Sequence, residues 1–163
     1  MTRRQAHIPF VRRAFSLLEV MAVVIVLAIL AAVAIPQFVG VSDEARTSSL
    51  QSTLSGVRSS IASFRSTAVI NGSDPYPTLA QLTTSGAVLK FDLPTNPFTN
   101  VSGVQSVDAT QAAARAVVSA DSYGWNYYVD NTADPPTAVF YANTDTPTTA
   151  PDGSGGVVTA NDL

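Results

Sequence analysis

Residues Phe15 to Ile35 read FSLLEVMAVVIVLAILAAVAI. From Val20 to Ile35 every residue is apolar, and nothing in the run interrupts an α-helix. At ~1.5 Å per residue the whole stretch reaches roughly 32 Å, about the thickness of a bilayer's hydrocarbon core. A segment that is apolar on every side offers no wet face to a soluble domain. One residue departs from the pattern: Glu19, a carboxylate near its start.

The flanking charges are uneven. Arg3, Arg4, Arg12 and Arg13 precede the apolar run and no acid does, which places that end in the cytoplasm by the positive-inside rule. The residues beyond Pro36 are then delivered across the membrane. The 163 residues carry a formal net charge of −3. Without residues 1–14, five bases face twelve acids. So acidic a domain lacks the basic patch that nucleic-acid binding needs. There is no cysteine, which excludes a disulfide framework, thiolate catalysis and cysteine-bound zinc.

Three readings of the N-terminal segment compete. Ala32-Val33-Ala34 has the form of an A-x-A site for an ordinary signal peptide. A plain signal anchor is the second reading. The third is a prepilin-type signal, cut before the apolar segment so that the segment is retained. Glu19 separates them, because a carboxylate in hydrocarbon costs on the order of a few kcal/mol near the centre and less near an interface. A positive partner in a packed bundle relieves that cost. A freed amino terminus at Phe15 is such a partner, and on a straight helix Phe15 and Glu19 share a face.

RRAFSLLEV (residues 12–20), the apolar run and Pro36 together resemble the signal of type IV pilins and type II secretion pseudopilins. In that pattern phenylalanine is the first mature residue, glutamate the fifth and proline often the twenty-second; here these are Phe15, Glu19 and Pro36. The residue before the cut is usually glycine in the family and is Ala14 here. The resemblance implies cleavage by a prepilin peptidase, N-methylation of Phe15 and filament assembly guided by Glu19. It also implies an inner-membrane assembly platform and other pilin-like subunits as partners.

Pro36 lacks an N–H and clashes with the preceding turn, so it is expected to kink or locally open the helix. A helical pattern then resumes. Leu50, Leu54, Val57, Ile61, Phe64 and Ala68 recur at spacings of four and three, one face of a helix. Asn71-Gly72 supplies a stop. The expected organisation is a leader at 1–14, a transmembrane or filament-core helix at 15–35, an amphipathic stalk at 36–70 and a head at 71–163.

In the head, Thr78 reads as a cap for a short helix ended by Gly86. Ala87–Leu93 and Val101–Val107 read as strands, and the alanine-rich Ala109–Ser119 as a helix, with Val117-Val118 leaving a strand open as the other reading. The clearest strand pair is Gly124–Val129 with Ala138–Ala142, with Trp125, Tyr127 and Val129 alternating onto one face. Those rings are expected to form a core face against the stalk stripe, the other reading being a sugar-binding platform. The fold class is therefore α+β: a long N-terminal helix, half transmembrane and half amphipathic, packed on a small antiparallel sheet, a pilin-like lollipop.

Residues 144–163, rich in Thr, Pro, Gly and Asp, read by composition as a flexible tail. Asp152-Gly153-Ser154-Gly155-Gly156 with Asn161-Asp162 also groups oxygens around tight turns. It resembles the C-terminal pattern that folds around calcium in major pseudopilins, which implies Asp152 and Asp162 as calcium ligands. Tyr76-Pro77-Thr78 resembles the same family.

No catalytic constellation appears. The single histidine, His7, lies in the leader, so Ser–His and metal–His chemistry are absent from a chain that begins at Phe15. Two functions are expected to compete. One is a structural subunit polymerising through its apolar helix into a pilus or secretion pseudopilus, anchored in the inner membrane with its head periplasmic. The other is an anchored or exported binding domain for calcium or glycans that does not polymerise.

Overall fold

In the computed structural model, which describes residues 15–163 apart from the side chains of 36–39, helix α1 spans Leu17–Ile70. It runs on through Pro36, so the anchor helix does not end at the proline. The chain divides after Gly40 into two units. Helix α1 stops where Asn71-Gly72 predicts. Gly72 adopts φ +66, its N–H reaches Val69 O, and the Ser73 N–H reaches Ala68 O. This is a Schellman closure around a glycine, which has no Cβ to clash in the left-handed region.

The second unit, residues 41–163, continues with α2 (Leu79–Thr83), β1 (Val104–Ser106), α3 (Ala109–Ala113), β2 (Trp125–Asp130) and β3 (Thr137–Ala142). It ends with β4 (Pro147–Pro151), β5 (Val157–Thr159) and a 3-10 turn at Ala160–Asp162. The predicted stripe forms its core: Leu50, Leu54, Val57 and Ile61 pack with Trp125, Tyr127, Phe140, Leu82 and Leu89. Ala68 is buried as well and Phe64 is half-buried. Trp125 is 0 % and Tyr127 1 % exposed, so these rings are core and not a sugar platform. The Tyr127 hydroxyl donates to Pro77 O at 2.8 Å and the Trp125 indole to Pro94 O at 3.0 Å.

Strands β2 and β3 pair antiparallel, Trp125 opposite Ala142 and Tyr127 opposite Phe140. The sheet as a whole is mixed rather than antiparallel, because β1 joins β2 in parallel, Val104 opposite Trp125. Residues 107–124 supply the crossover a parallel return requires. That crossover carries α3 and covers the sheet's second face, where Val107, Ala112 and Tyr141 are buried together.

Three other expectations are corrected. Ala87–Leu93 is not a strand. Its backbone bonds close locally, Gly86 N to Leu89 O at 2.8 Å and Ala87 N to Thr84 O at 3.2 Å, while Leu89 is buried in the core. The helix predicted over Ala109–Ser119 ends at Ala113. There the Arg115 N–H reaches Ala112 O and the Ala116 N–H reaches Gln111 O, a Schellman closure with Arg115 at φ +50 in the glycine position. Residues 144–163 are not a flexible tail: β4 and β5 pair antiparallel, and Ala160 is 0 % exposed in the core. The Thr148 hydroxyl ties β4 to Val158 O at 2.6 Å, and the Thr149 N–H reaches the Thr47 hydroxyl at 3.1 Å.

Candidate functional site

The large apolar side chains from Phe15 to Ile35 are between 52 and 80 % exposed. The core of the second unit draws its α1 residues from Leu50 onward, so it is complete without this segment. Among the described residues, α1 is the one helix long and apolar enough to cross a membrane. At about 25 cal/mol per Å² of apolar surface, leaving such a segment in water is strongly unfavourable, and lipid or other apolar helices remove the cost.

The start of the segment is built locally. Phe15 and Ser16 precede the helix, which begins at Leu17. The Glu19 N–H donates to the Ser16 hydroxyl at 3.1 Å, and the Val20 N–H to Ser16 O at 3.2 Å. Ser16 is therefore an N-cap and Glu19 the third helical residue, in the first turn where a carboxylate also suits the helix dipole. The Ser-x-x-Glu spacing of a capping box was the signal for this arrangement in the sequence. Because Phe15 lies outside the helix, the shared face expected of Phe15 and Glu19 does not follow from helix geometry.

Ala14, the expected residue before the cut, and the basic leader lie outside the described residues. Pro36 lies inside α1, four residues before the unit boundary at Gly40.

Asp152 and Asp162 sit on the C-terminal hairpin and the turn after it. Asp152 Oδ1 accepts from the Ser154 N–H at 2.7 Å and the Gly156 N–H at 2.9 Å, closing the loop between β4 and β5. Those two main-chain bonds hold its carboxyl below the ordinary 3.8. Asp162 Oδ2 accepts from the Thr159 hydroxyl at 3.0 Å. Among the described residues no group of three or more acids or histidines is placed to hold a metal ion. Calcium at Asp152 and Asp162 therefore rests on the resemblance alone.

A buried amide network was not anticipated. Asn143 Oδ1 accepts from the Asn126 amide at 2.9 Å and from the Val118 N–H at 2.8 Å, and its own amide donates to Val118 O and Tyr123 O. Asn126 also reaches Ala116 O at 3.1 Å and accepts from Gln105 at 2.8 Å. The network pins the 107–124 crossover to the sheet, and its full pairing marks it as structural. No protein-family model, curated protein or solved structure matches this chain.

Proposed function

We propose that the chain is a structural subunit of a type IV-like filament, a pseudopilin of a type II protein secretion system. One observation carries the reading: an exposed apolar helical segment of membrane length, with a single acid in its first turn, that the chain's own core does not use. Lipid satisfies that segment before assembly, and sister segments satisfy it in the filament. Glu19 sets the register by meeting the freed amino group at Phe15, within one copy or between neighbours. The prepilin peptidase, the inner-membrane assembly platform and further pilin-like subunits are the partners. The head stands in the periplasm, and the chain acts as a building block rather than an enzyme. The absence of any cysteine pair, the Tyr76-Pro77-Thr78 turn and the Asp/Gly loop favour a pseudopilin over a pilus subunit.

The cysteine-free chain provides its own test. Val24→Cys, on the exposed apolar segment, is expected to give disulfide-linked dimers in sheared filaments and none in the Glu19→Ala background. Dimers that persist undiminished with Glu19→Ala, or no dimers under any expression level, contradict the reading.

A further inference from the structure

Three of the five basic side chains beyond residue 35 line one cavity of about 350 Å³ in the second unit: Arg58, Arg65 and Arg115. No acidic side chain among the described residues lines it, although the chain has twelve acidic residues, eleven of them after residue 40. Among the described residues the one side-chain ion pair is Arg46–Asp43 at 3.8 Å, so none of the three guanidiniums has a side-chain carboxylate partner among them. The remaining wall is apolar, from Ile61 on α1 and Val139 and Phe140 on β3.

Each guanidinium is held in place. Arg65 lies 4.9 Å from the centroid of the Tyr76 ring, and Arg115 lies 5.3 Å from that of Tyr141. Cation–π contact covers a face of a guanidinium and leaves its N–H edge free. Arg58 is already engaged, donating to the main-chain oxygen of Leu163, the last residue of the sequence, at 2.8 Å and to Phe140 O at 3.2 Å, which leaves Arg65 and Arg115 as the open cations. Arg115 Nη1 is buried and has no hydrogen-bond partner among the described residues. A buried, unpaired donor is costly, and more so when charged. Arg115 also holds the left-handed φ of +50 at the end of α3, where glycine is the favoured residue. The Asn161 amide fixes that backbone by donating to Arg115 O at 2.8 Å. A strained, like-charged cluster around a concave apolar wall persists where a ligand neutralises it.

We propose that this cavity binds a small organic anion, its carboxylate or phosphate group on Arg65 and Arg115 and its apolar body against Ile61, Val139 and Phe140. The charge balance agrees: burial first, and the Arg115 charge second, lower the pKa of Arg58, and a bound anion reverses the second effect. The volume falls within the roughly 300–1,000 Å³ of small-molecule sites. The proposal is independent of filament assembly, since every residue it uses lies in residues 41–163.

The test is a titration of the full chain in non-ionic detergent with benzoate, benzamide and inorganic phosphate, monitoring the arginine Nε–H resonances. Saturable shifts at Arg65 and Arg115 with benzoate, weaker ones with phosphate and none with benzamide are expected. Arg65→Gln and Arg115→Gln should each weaken benzoate about tenfold, the loss of one charge-assisted contact, whereas Lys90→Gln should not. Arg65 is exposed on α1, so its variant keeps the test valid if Arg115→Gln unfolds. No saturable response to benzoate, an equal response to benzamide, or wild-type affinity in Arg65→Gln overturns the proposal. Phosphate binding without benzoate binding overturns it too, by assigning the cavity to an inorganic ion.

Discussion

The Ser16 hydroxyl accepts the Glu19 main-chain N–H at 3.1 Å, which makes the one acid of the apolar segment part of a helix start. Glu19 thus has a local contribution, about 0.3–1 kcal/mol from the helix dipole, besides the assembly role proposed for it. Variants separate the two. Ser16→Ala should cost about 1 kcal/mol at the helix start and leave filament incorporation intact. Glu19→Ala and Glu19→Gln should both lose incorporation while the chain stays membrane-bound, read by the fraction recovered in sheared filaments. Equal losses in Ser16→Ala and Glu19→Ala would reduce Glu19 to a capping residue.

Gly124 should tolerate no side chain. A Cβ there would lie 2.1 Å from the Val101 main-chain oxygen and 3.2 Å from the Asn96 Cβ. Backbone cannot swing aside as a flexible side chain can. Gly124→Ala is expected to destabilise the head by about 2–3 kcal/mol, measured by urea unfolding monitored through the buried Trp125.

Asn143 joins β3 to the crossover. Asn143→Ala strands the Val118 N–H, the Tyr123 O and one of the two Asn126 amide N–H groups, whose other bond to Ala116 O remains, and should cost about 2–3 kcal/mol. Hydrogen exchange should accelerate first across residues 107–124 and last in the β2–β3 pair, whose ladder is independent of the amide.

The Asp152 loop should respond to acid. Its carboxyl titrates below 3.8 because the ionised form accepts two main-chain N–H bonds. A carboxyl lowered by folding contributes above its unfolded pKa and loses that contribution as pH falls through the folded one. The β4–β5 loop should therefore keep its geometry at neutral pH and loosen below about pH 3.8. Carbon-detected titration of Asp152 checks this; a midpoint at or above 3.8 contradicts it.

Local periodicity made part of this fold legible. Leu50, Leu54, Val57 and Ile61 could be read as one helix face because their spacing alone fixes a stripe, and the Trp125–Val129 alternation identified the central strand pair. The parallel pairing of β1 was not legible, since it depends on a distant partner across the crossover. Neither was the end of α3, because arginine occupies the position where glycine would have announced a stop. Composition misled at residues 144–163, where tertiary contacts of Ala160 and Thr148 order a stretch rich in loop-forming residues. At the N-terminus the apolar run was plain, while the Ser16 cap was overlooked although its spacing was present. The arginine cavity gathers residues from α1, the end of α3 and β3, which no sequence spacing connects.

The retention of the apolar segment is tested most directly by intact-mass spectrometry of the protein recovered from membranes or filaments. A chain beginning at N-methylated Phe15 is the predicted result. A chain beginning at Met1, or at Ile35 after cleavage behind Ala32-Val33-Ala34, contradicts it.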